Sequence, residues 1–304
     1  VLITGSLTFE MLFKLRKLSK KYNLIIHTHS IFNSYLILTL NYFLPQANLI
    51  SSHHGGLPPD DSSIKGKIKL WLLKTALNKL QFGTYQNNGL KNFVSKFINN
   101  HKFKFLPVGA DFDLFQPMDQ SIARRRLGLN KDTGYAIVVG KLYRLKGVDV
   151  IMDTYDLLKS KCDFKVLFVG SIYEVERDLY NRIQESECIF YGPQKHEDVP
   201  LYLSAADFYL HPIFNGSVGL DVAQIEAMAM GLPVVGTRLN TMEVDYSNLG
   251  YQVDQVEVFA QTVEKMIKTY KQFDKVRSTA IKYFNTNTNI TDEYIKAYKQ
   301  ITND

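Results

Sequence analysis

The sequence predicts an α/β protein with a parallel sheet in each half, and three observations carry that prediction. Short apolar runs, each closed by Gly or a polar loop, recur along the chain with helical segments between them. The stretch from Asp207 to Thr237, DFYLHPIFNGSVGLDVAQIEAMAMGLPVVGT, shows one complete unit. It reads as a strand over Phe208 to His211, a Gly/Ser/Asn-rich loop over Asn215 to Gly219 and a helix over about Asp221 to Met230. Gly231 and Pro233 then stop the helix before a second strand from Val234. The first half repeats the pattern, because LIIHTHS and NLISSHHGG flank an apolar helical segment over 31 to 44. Both halves are therefore expected to be Rossmann-like.

In chain order, a helix is expected over residues 6 to 22, with Phe9, Leu12, Phe13, Leu15 and Leu18 as its apolar face and Arg16, Lys17, Lys20 and Lys21 outside. The run LIIHTHS follows as a buried strand ending at His27 and His29, then the helix 31 to 44 and a strand from Asn48. The second strand leads into His53, His54, Gly55 and Gly56 at the carboxyl edge, where such sheets bind ligands. His54 reads either as a polar strand-end residue or as part of a site, and the Gly-Gly after it, which permits close backbone approach, favours the site. Residues 64 to 80, IKGKIKLWLLKTALNKL, have helical spacing, five lysines and Trp71. They read as an ordinary helix covering the sheet or as a helix lying in a membrane interface. A further helix spans about Gly89 to Asn99, and Pro107, Gly109 and Pro117 mark a linker. Three segments are expected: residues 1 to 117, residues 118 to 285, and a last piece, 286 to 304, holding a terminal helix.

The second half opens with a helix over Ser121 to Leu127 and a strand over Tyr135 to Val139 that ends at Gly140. Lys141, Arg144 and Lys146 follow before a helix over 148 to 159, so three cations share one strand-to-helix loop at a ligand-binding edge, which reads as a phosphate clamp or as one of the many basic surface loops. Strands over Lys165 to Gly170, Cys188 to Gly192 and Phe208 to Pro212 extend the sheet, and one long helix is expected over about 256 to 284. The junction before Asp221 suits an anion, because the first helical N–H groups lack helix partners and the macrodipole adds positive charge there. Glu226 stands among Ala223, Ile225, Ala227, Met228 and Ala229. Either it faces solvent beside Gln224, or it is buried for a use such as bonding a pair of sugar hydroxyls.

Composition bounds the function classes. The chain has 304 residues, 45% hydrophobic and 12% aromatic, which fits a globular protein with a core in each half. The longest apolar candidate, Ile31 to Leu44, is interrupted by Asn33 and Asn41, so no transmembrane span is expected. Cys162 and Cys188 have no metal-ligand spacing, and a cytoplasmic location is expected. Because the first residue is Val1 rather than Met, an N-terminal piece is expected to be missing. Residues 1 to 117 hold 14 Lys+Arg against 5 Asp+Glu, whereas residues 118 to 304 hold 22 against 25. The basic half is expected to meet an anionic acceptor or the inner face of the cytoplasmic membrane. Nucleic acid is not expected, since the basic residues are spread over several elements and no nucleic-acid module is present. No G-x-G-x-x-G opens a helix after a strand, which disfavours a dinucleotide dehydrogenase.

Several segments together resemble the glycosyltransferases of the GT-B fold, specifically family 4. In order they are IIHTHS, SSHHGG, KFLPVGADFDLF, VVGKLYRLKGVDVIM, FKVLFVG, IFYGPQKHEDVPLYLSAADFYLHP and GLDVAQIEAMAMGLPVVGT. The resemblance implies two Rossmann-like domains facing across a cleft, with the N-terminal one binding the acceptor and truncated here, its first strand and glycine loop missing. The C-terminal one would bind a nucleoside diphosphate sugar of UDP or GDP type.

It also implies residue roles. Glu226 would bond the donor ribose, and Lys141 and Lys146 would contact the pyrophosphate, with Arg144 in support. Gly192, Gln194 and Lys195, in the segment that ends at His196, would meet the nucleobase. Gly140, Ser217, Val218, Gly219, Leu220 and Asp221 would line the donor site; His54 would lie at the sugar, and Gly55 and Gly56 at the acceptor.

Two positions depart from the family pattern: Lys141 replaces an arginine, and Val218 replaces the first of two glutamates, so the donor sugar must be recognised differently, through Ser217, Asp221 or loop N–H groups. The expected activity is a retaining, metal-independent transfer of a hexose or N-acetylhexosamine to a polysaccharide, lipid or lipid-linked acceptor. The alternative is a non-catalytic sugar- or nucleotide-binding subunit of a glycan-assembly complex. A nucleotide-sugar epimerase would need cleft carboxylates that the sequence does not identify.

Overall fold

The computed structural model describes residues 8–29, 34–52, 62–86, 88–96, 102–214, 221–237 and 244–302. Its chain divides into two compact units, residues 1–107 with 291–304, and residues 108–290.

In the first unit, helix α1 (Phe9–Ser19) begins where the Thr8 hydroxyl accepts the Met11 N–H. Strand β1 (Ile25–Thr28), helix α2 (Ser34–Phe43), strand β2 (Asn48–Ser52), helix α3 (Ile64–Lys79), strand β3 (Phe82–Tyr85), helix α4 (Asn88–Ser95) and strand β4 (Phe103–Phe105) follow. The four strands form a parallel sheet in chain order. Leu12, Leu15, Ile37, Leu40, Leu49, Leu73 and Leu77 are buried together in its core. Phe9 and Phe13, expected on the buried face of α1, are exposed, because only Leu12 and Leu15 turn inward. The α3 face bearing Leu73, Ala76 and Leu77 is buried, and Ile64, Ile68 and Trp71 are exposed.

Helix α5 (Gln120–Arg126) and strand β5 (Gly134–Val139) open the regular part of the second unit. Then come α6 (Val148–Leu158), β6 (Phe164–Val169), α7 (Arg177–Gln184), β7 (Ile189–Gly192), α8 (Val199–Ala205), β8 (Phe208–His211), α9 (Val222–Ala229), β9 (Val234–Thr237) and β10 (Gly250–Val253). The parallel sheet has the order β10-β9-β8-β5-β6-β7. The chain thus runs outward from β5 through β6 and β7, then returns to the other side of β5 with β8. In sheets of this kind ligands bind at such a reversal, which here falls beyond the carboxyl ends of β5 and β8. Ala136, Val138, Phe168, Phe208 and Leu210 are buried with Ile151 and Met152 of α6.

The single helix expected over 256 to 284 is two, α10 (Phe259–Thr269) and α11 (Val276–Phe284), separated by a 3-10 turn at Tyr270–Gln272. The break lets α10 pack on α6 and α11 on α9. The boundary expected at Pro117 falls instead between Pro107 and Val108. Residues 108 to 117 stay with the second unit because Phe112 and Phe115 are buried and Arg277 donates to both of their carbonyl oxygens. The terminal helix α12 (Thr291–Thr302) is grouped with the first unit.

Within the first unit, α12 is fastened to strand ends by a polar network. The Tyr298 hydroxyl lies 2.7 Å from His27 Nδ1, whose Nε2 is 2.6 Å from Ser52 Oγ, and Ser52 Oγ is 2.6 Å from the Tyr294 hydroxyl. Lys104 pairs with Glu293 beside it. In the second unit the buried anchor is an ion pair. Arg124 Nη2 lies 2.9 Å from Asp207 Oδ2, which also accepts the Tyr135 N–H at 2.7 Å, while Arg124 Nε and Nη1 donate to the Ala205 and Lys131 carbonyls. With a partner on each of the three Arg124 nitrogens and on both Asp207 oxygens, the pair satisfies the condition under which a buried ion pair is tolerated.

Candidate functional site

The site forms where β5 and β8 end. Strand β5 leads through Gly140 (φ +122°) into a loop that is held to the end of β6, since Leu142 pairs with the Ser171–Ile172 segment. A 3-10 turn, Arg144–Lys146, closes at Gly147 (φ +72°), where a Cβ would meet the Pro212 carbonyl oxygen at 2.0 Å. Glycine at this position lets the cationic turn lie against the chain leaving β8. Lys146 consequently reaches Asp221, the N-cap residue of α9, and the two form an ion pair.

Near both is His211, the last residue of β8. It is 4% exposed, and its Nε2 has no hydrogen-bond partner among the described residues. Burial lowers its pKa to about 4, with Asp221 pulling upward and Lys146 downward, so the ring is neutral at physiological pH. Burial raises the Asp221 carboxyl, but the Lys146 bond and charge outweigh it, and the carboxyl ends below its ordinary value.

One turn and more into α9, Glu226 is 6% exposed and Gln224 is 2% exposed, so the solvent-facing reading of Glu226 does not hold. Burial raises the Glu226 carboxyl, opposed by the bond to His196, whose Nε2 is 2.8 Å from Oε1. His196 opens the turn after β7, and its ring lies 5.2 Å from that of Phe115.

Of the other sequence-predicted residues, Lys141 lies over the Tyr173 ring at 5.8 Å. Arg144 is not brought to Lys146: its guanidinium pairs with Glu176 and Asp178. Gly192 takes φ +70°, and Gln194 is locked between the Tyr191 carbonyl and the Tyr202 hydroxyl, each at 2.8 Å. Lys195 is exposed at the start of the His196 turn. His54, Gly55, Gly56, Ser217, Val218, Gly219 and Leu220 lie outside the described residues. Sequence reasoning missed His211 as a site residue and missed the two carboxylates that take Arg144. Neither carries a local signal, since each acts through residues at least ten positions away.

Comparison with known proteins agrees with this architecture. Residues 133–269 match the family model of glycosyl transferases group 1. Over 157 residues the chain is 31% identical to a GDP-mannose-dependent monoacylated alpha-(1-6)-phosphatidylinositol monomannoside mannosyltransferase of Corynebacterium glutamicum, covering 48% of this chain and 41% of that protein. Over 158 residues it is 28% identical to a D-inositol 3-phosphate glycosyltransferase of Pseudarthrobacter chlorophenolicus, covering 49% and 37%. The chain thus spans less than half the length of these relatives. Among solved structures, HepE of Anabaena in complex with UDP matches with a TM-score of 0.76 at 19% identity, over 96% of this chain and 82% of that one. The chain has the GT-B fold, and residues 133–269 of its second unit are similar to the glycosyl transferases group 1 family.

Proposed function

We propose that the chain belongs to a glycosyltransferase that takes a hexose or N-acetylhexosamine from a nucleoside diphosphate sugar, of UDP or GDP type, to a glycan, lipid or lipid-linked acceptor. The observation that carries this reading is the placement of Lys146 against Asp221, the N-cap residue of the helix that also carries the buried Glu226. An ammonium and free helix N–H groups suit a diphosphate. A buried carboxylate 6% exposed suits the ribose diol, which can donate two hydrogen bonds to it. The similarity to a mannosyltransferase named for GDP-mannose and to a UDP complex supports the same donor class.

In this reading Lys146, with Lys141 nearby in the same loop, holds the negative charge that develops on the leaving diphosphate, so the transfer needs no metal. The leaving phosphate takes the acceptor proton on the face it departs from, and configuration is retained. His54, Gly55 and Gly56 serve the sugar and acceptor. The basic first unit places the acceptor near an anionic membrane surface.

The test is calorimetry of the chain with UDP, GDP and ADP, each with and without Mg²⁺, in wild type and Glu226→Ala. One diphosphate should bind without Mg²⁺, and Glu226→Ala should weaken it at least tenfold, about 1.4 kcal/mol. Undiminished affinity in the variant would remove Glu226 from the ribose, and no binding of any nucleotide would leave the non-catalytic reading in its place.

A further inference from the structure

The loop after β5 carries three cations, and two of them are already held by the chain's own carboxylates, in two different ways. Arg144 reaches Glu176 and Asp178 with its side chain 45% exposed, so water screens that cluster. Lys146 and Asp221 are about three-quarters buried, at 26% and 24% exposure, where a charge pair is screened less. Asp221 has the extended backbone of an N-cap residue, φ −78° and ψ 141°, and is a preferred capping type; the Ala223 N–H helps to hold its carboxyl below the ordinary value, but no well-formed capping hydrogen bond is made. The carboxylate is directed to Lys146 instead. Beside both lies the buried His211, with a ring nitrogen that no described residue bonds. An ammonium, a helix N-terminus and an unpartnered polar ring make one anion site, and the chain supplies its own anion to it.

We propose that Asp221 is an affinity-determining residue of the donor site: an internal competitor that occupies Lys146 and must be displaced by the donor's diphosphate. The inference rests on the nucleoside diphosphate reading given above. Lys146 cannot serve two anions at full strength, so binding a diphosphate exchanges one ion pair for another instead of adding one. The backbone of Asp221 is already set for its carboxylate to turn onto the first N–H groups of α9, which gives the displaced group a place to go. The competition weakens retention of nucleoside diphosphate, the product of transfer, and leaves the nucleoside contacts at Glu226 untouched.

The experiment measures affinities for UDP, GDP, their glucose and mannose derivatives and the corresponding nucleosides in the wild-type chain, Asp221→Asn and Asp221→Ser, both of which keep a capping side chain. The diphosphate that binds wild type should bind each variant about tenfold more tightly, with nucleoside affinity unchanged. In a Lys146→Ala background the gain from Asp221→Asn should fall to within twofold, a coupling that a merely structural effect would not produce. Equal or weaker diphosphate binding in both variants overturns the inference while leaving the nucleotide reading standing. Weaker binding of the nucleotide sugar with unchanged diphosphate would assign Asp221 to the sugar instead. Failure of every nucleotide to bind any chain sinks the nucleotide reading, and the inference with it.

Discussion

His211 concentrates the chemistry of the site in one side chain. A buried imidazole with an unbonded nitrogen is expensive to keep and more so to charge, and burial holds its pKa at about 4. Because the folded value lies below the unfolded one, the unfolded chain binds the extra proton first as pH falls. The stability His211 contributes is therefore complete above about pH 6.5 and is lost as pH drops toward 4. Denaturant unfolding should show wild type losing up to about 3 kcal/mol more than His211→Asn across that window. Parallel stability curves for the two proteins would place the titration elsewhere. Glu226 shows the opposite sign: burial raises its carboxyl, and only His196 offsets that. Burial disfavours the charged form of both residues.

At the scale of elements, the last helix is informative. Helix α12 buries only Ala297 fully, so apolar contact alone holds it weakly to the first unit. The Tyr294 and Tyr298 hydroxyls supply the rest, through Ser52, which is fully buried at the end of β2, and His27 at β1. Tyr294→Phe and Tyr298→Phe should each destabilise the chain by about 1 kcal/mol in chemical denaturation. Tyr42→Phe, whose parent ring is 80% exposed, should change nothing measurable. If all three behave alike, the network does not hold the helix. Ser52 lies two residues before His54, so the same bonds also fix the strand end that leads into the expected acceptor segment.

For the whole molecule the decisive quantity is charge. With the boundaries the structure sets, the first unit holds 16 Lys+Arg against 6 Asp+Glu and the second 20 against 24, a sharper asymmetry than a boundary at Pro117 gives. Exposed Ile64, Ile68 and Trp71 recur at helical spacing on α3, with Lys65, Lys67 and Lys69 between them. Among the described residues no helix is long and apolar enough to cross a membrane. Such a stripe suits the surface of an anionic bilayer, apolar side chains inserted and lysines at the head groups. Vesicles rich in anionic lipid should co-sediment the chain at low salt and release it as salt rises. Trp71→Ala should reduce the bound fraction roughly tenfold in affinity, about 1.4 kcal/mol. Retention by neutral vesicles to the same extent would remove charge from the account.

The sequence by itself determined the elements and their order. Strands β5, β6, β7 and β8 begin and end within about a residue of where apolar runs meet Gly or a polar loop, because a strand buried on both faces needs an unbroken apolar run. It also determined which residues stand at strand ends, and so Lys146 and Glu226 were legible as candidates. Strand β10 and the break between α10 and α11 were not, since a short strand of mixed burial and a helix interruption leave no periodic signal. What only the tertiary structure decided is which charges meet. Arg144 and Lys146 are two residues apart and chemically alike, yet one goes to Glu176 and Asp178 and the other to Asp221, 75 positions away. That partition depends on the close packing of Gly147 against Pro212, a contact between β5 and β8 loops that local sequence does not encode. Hydrophobic periodicity is a local property of the chain, whereas electrostatic partnership is a property of distances that exist only once the sheet has formed.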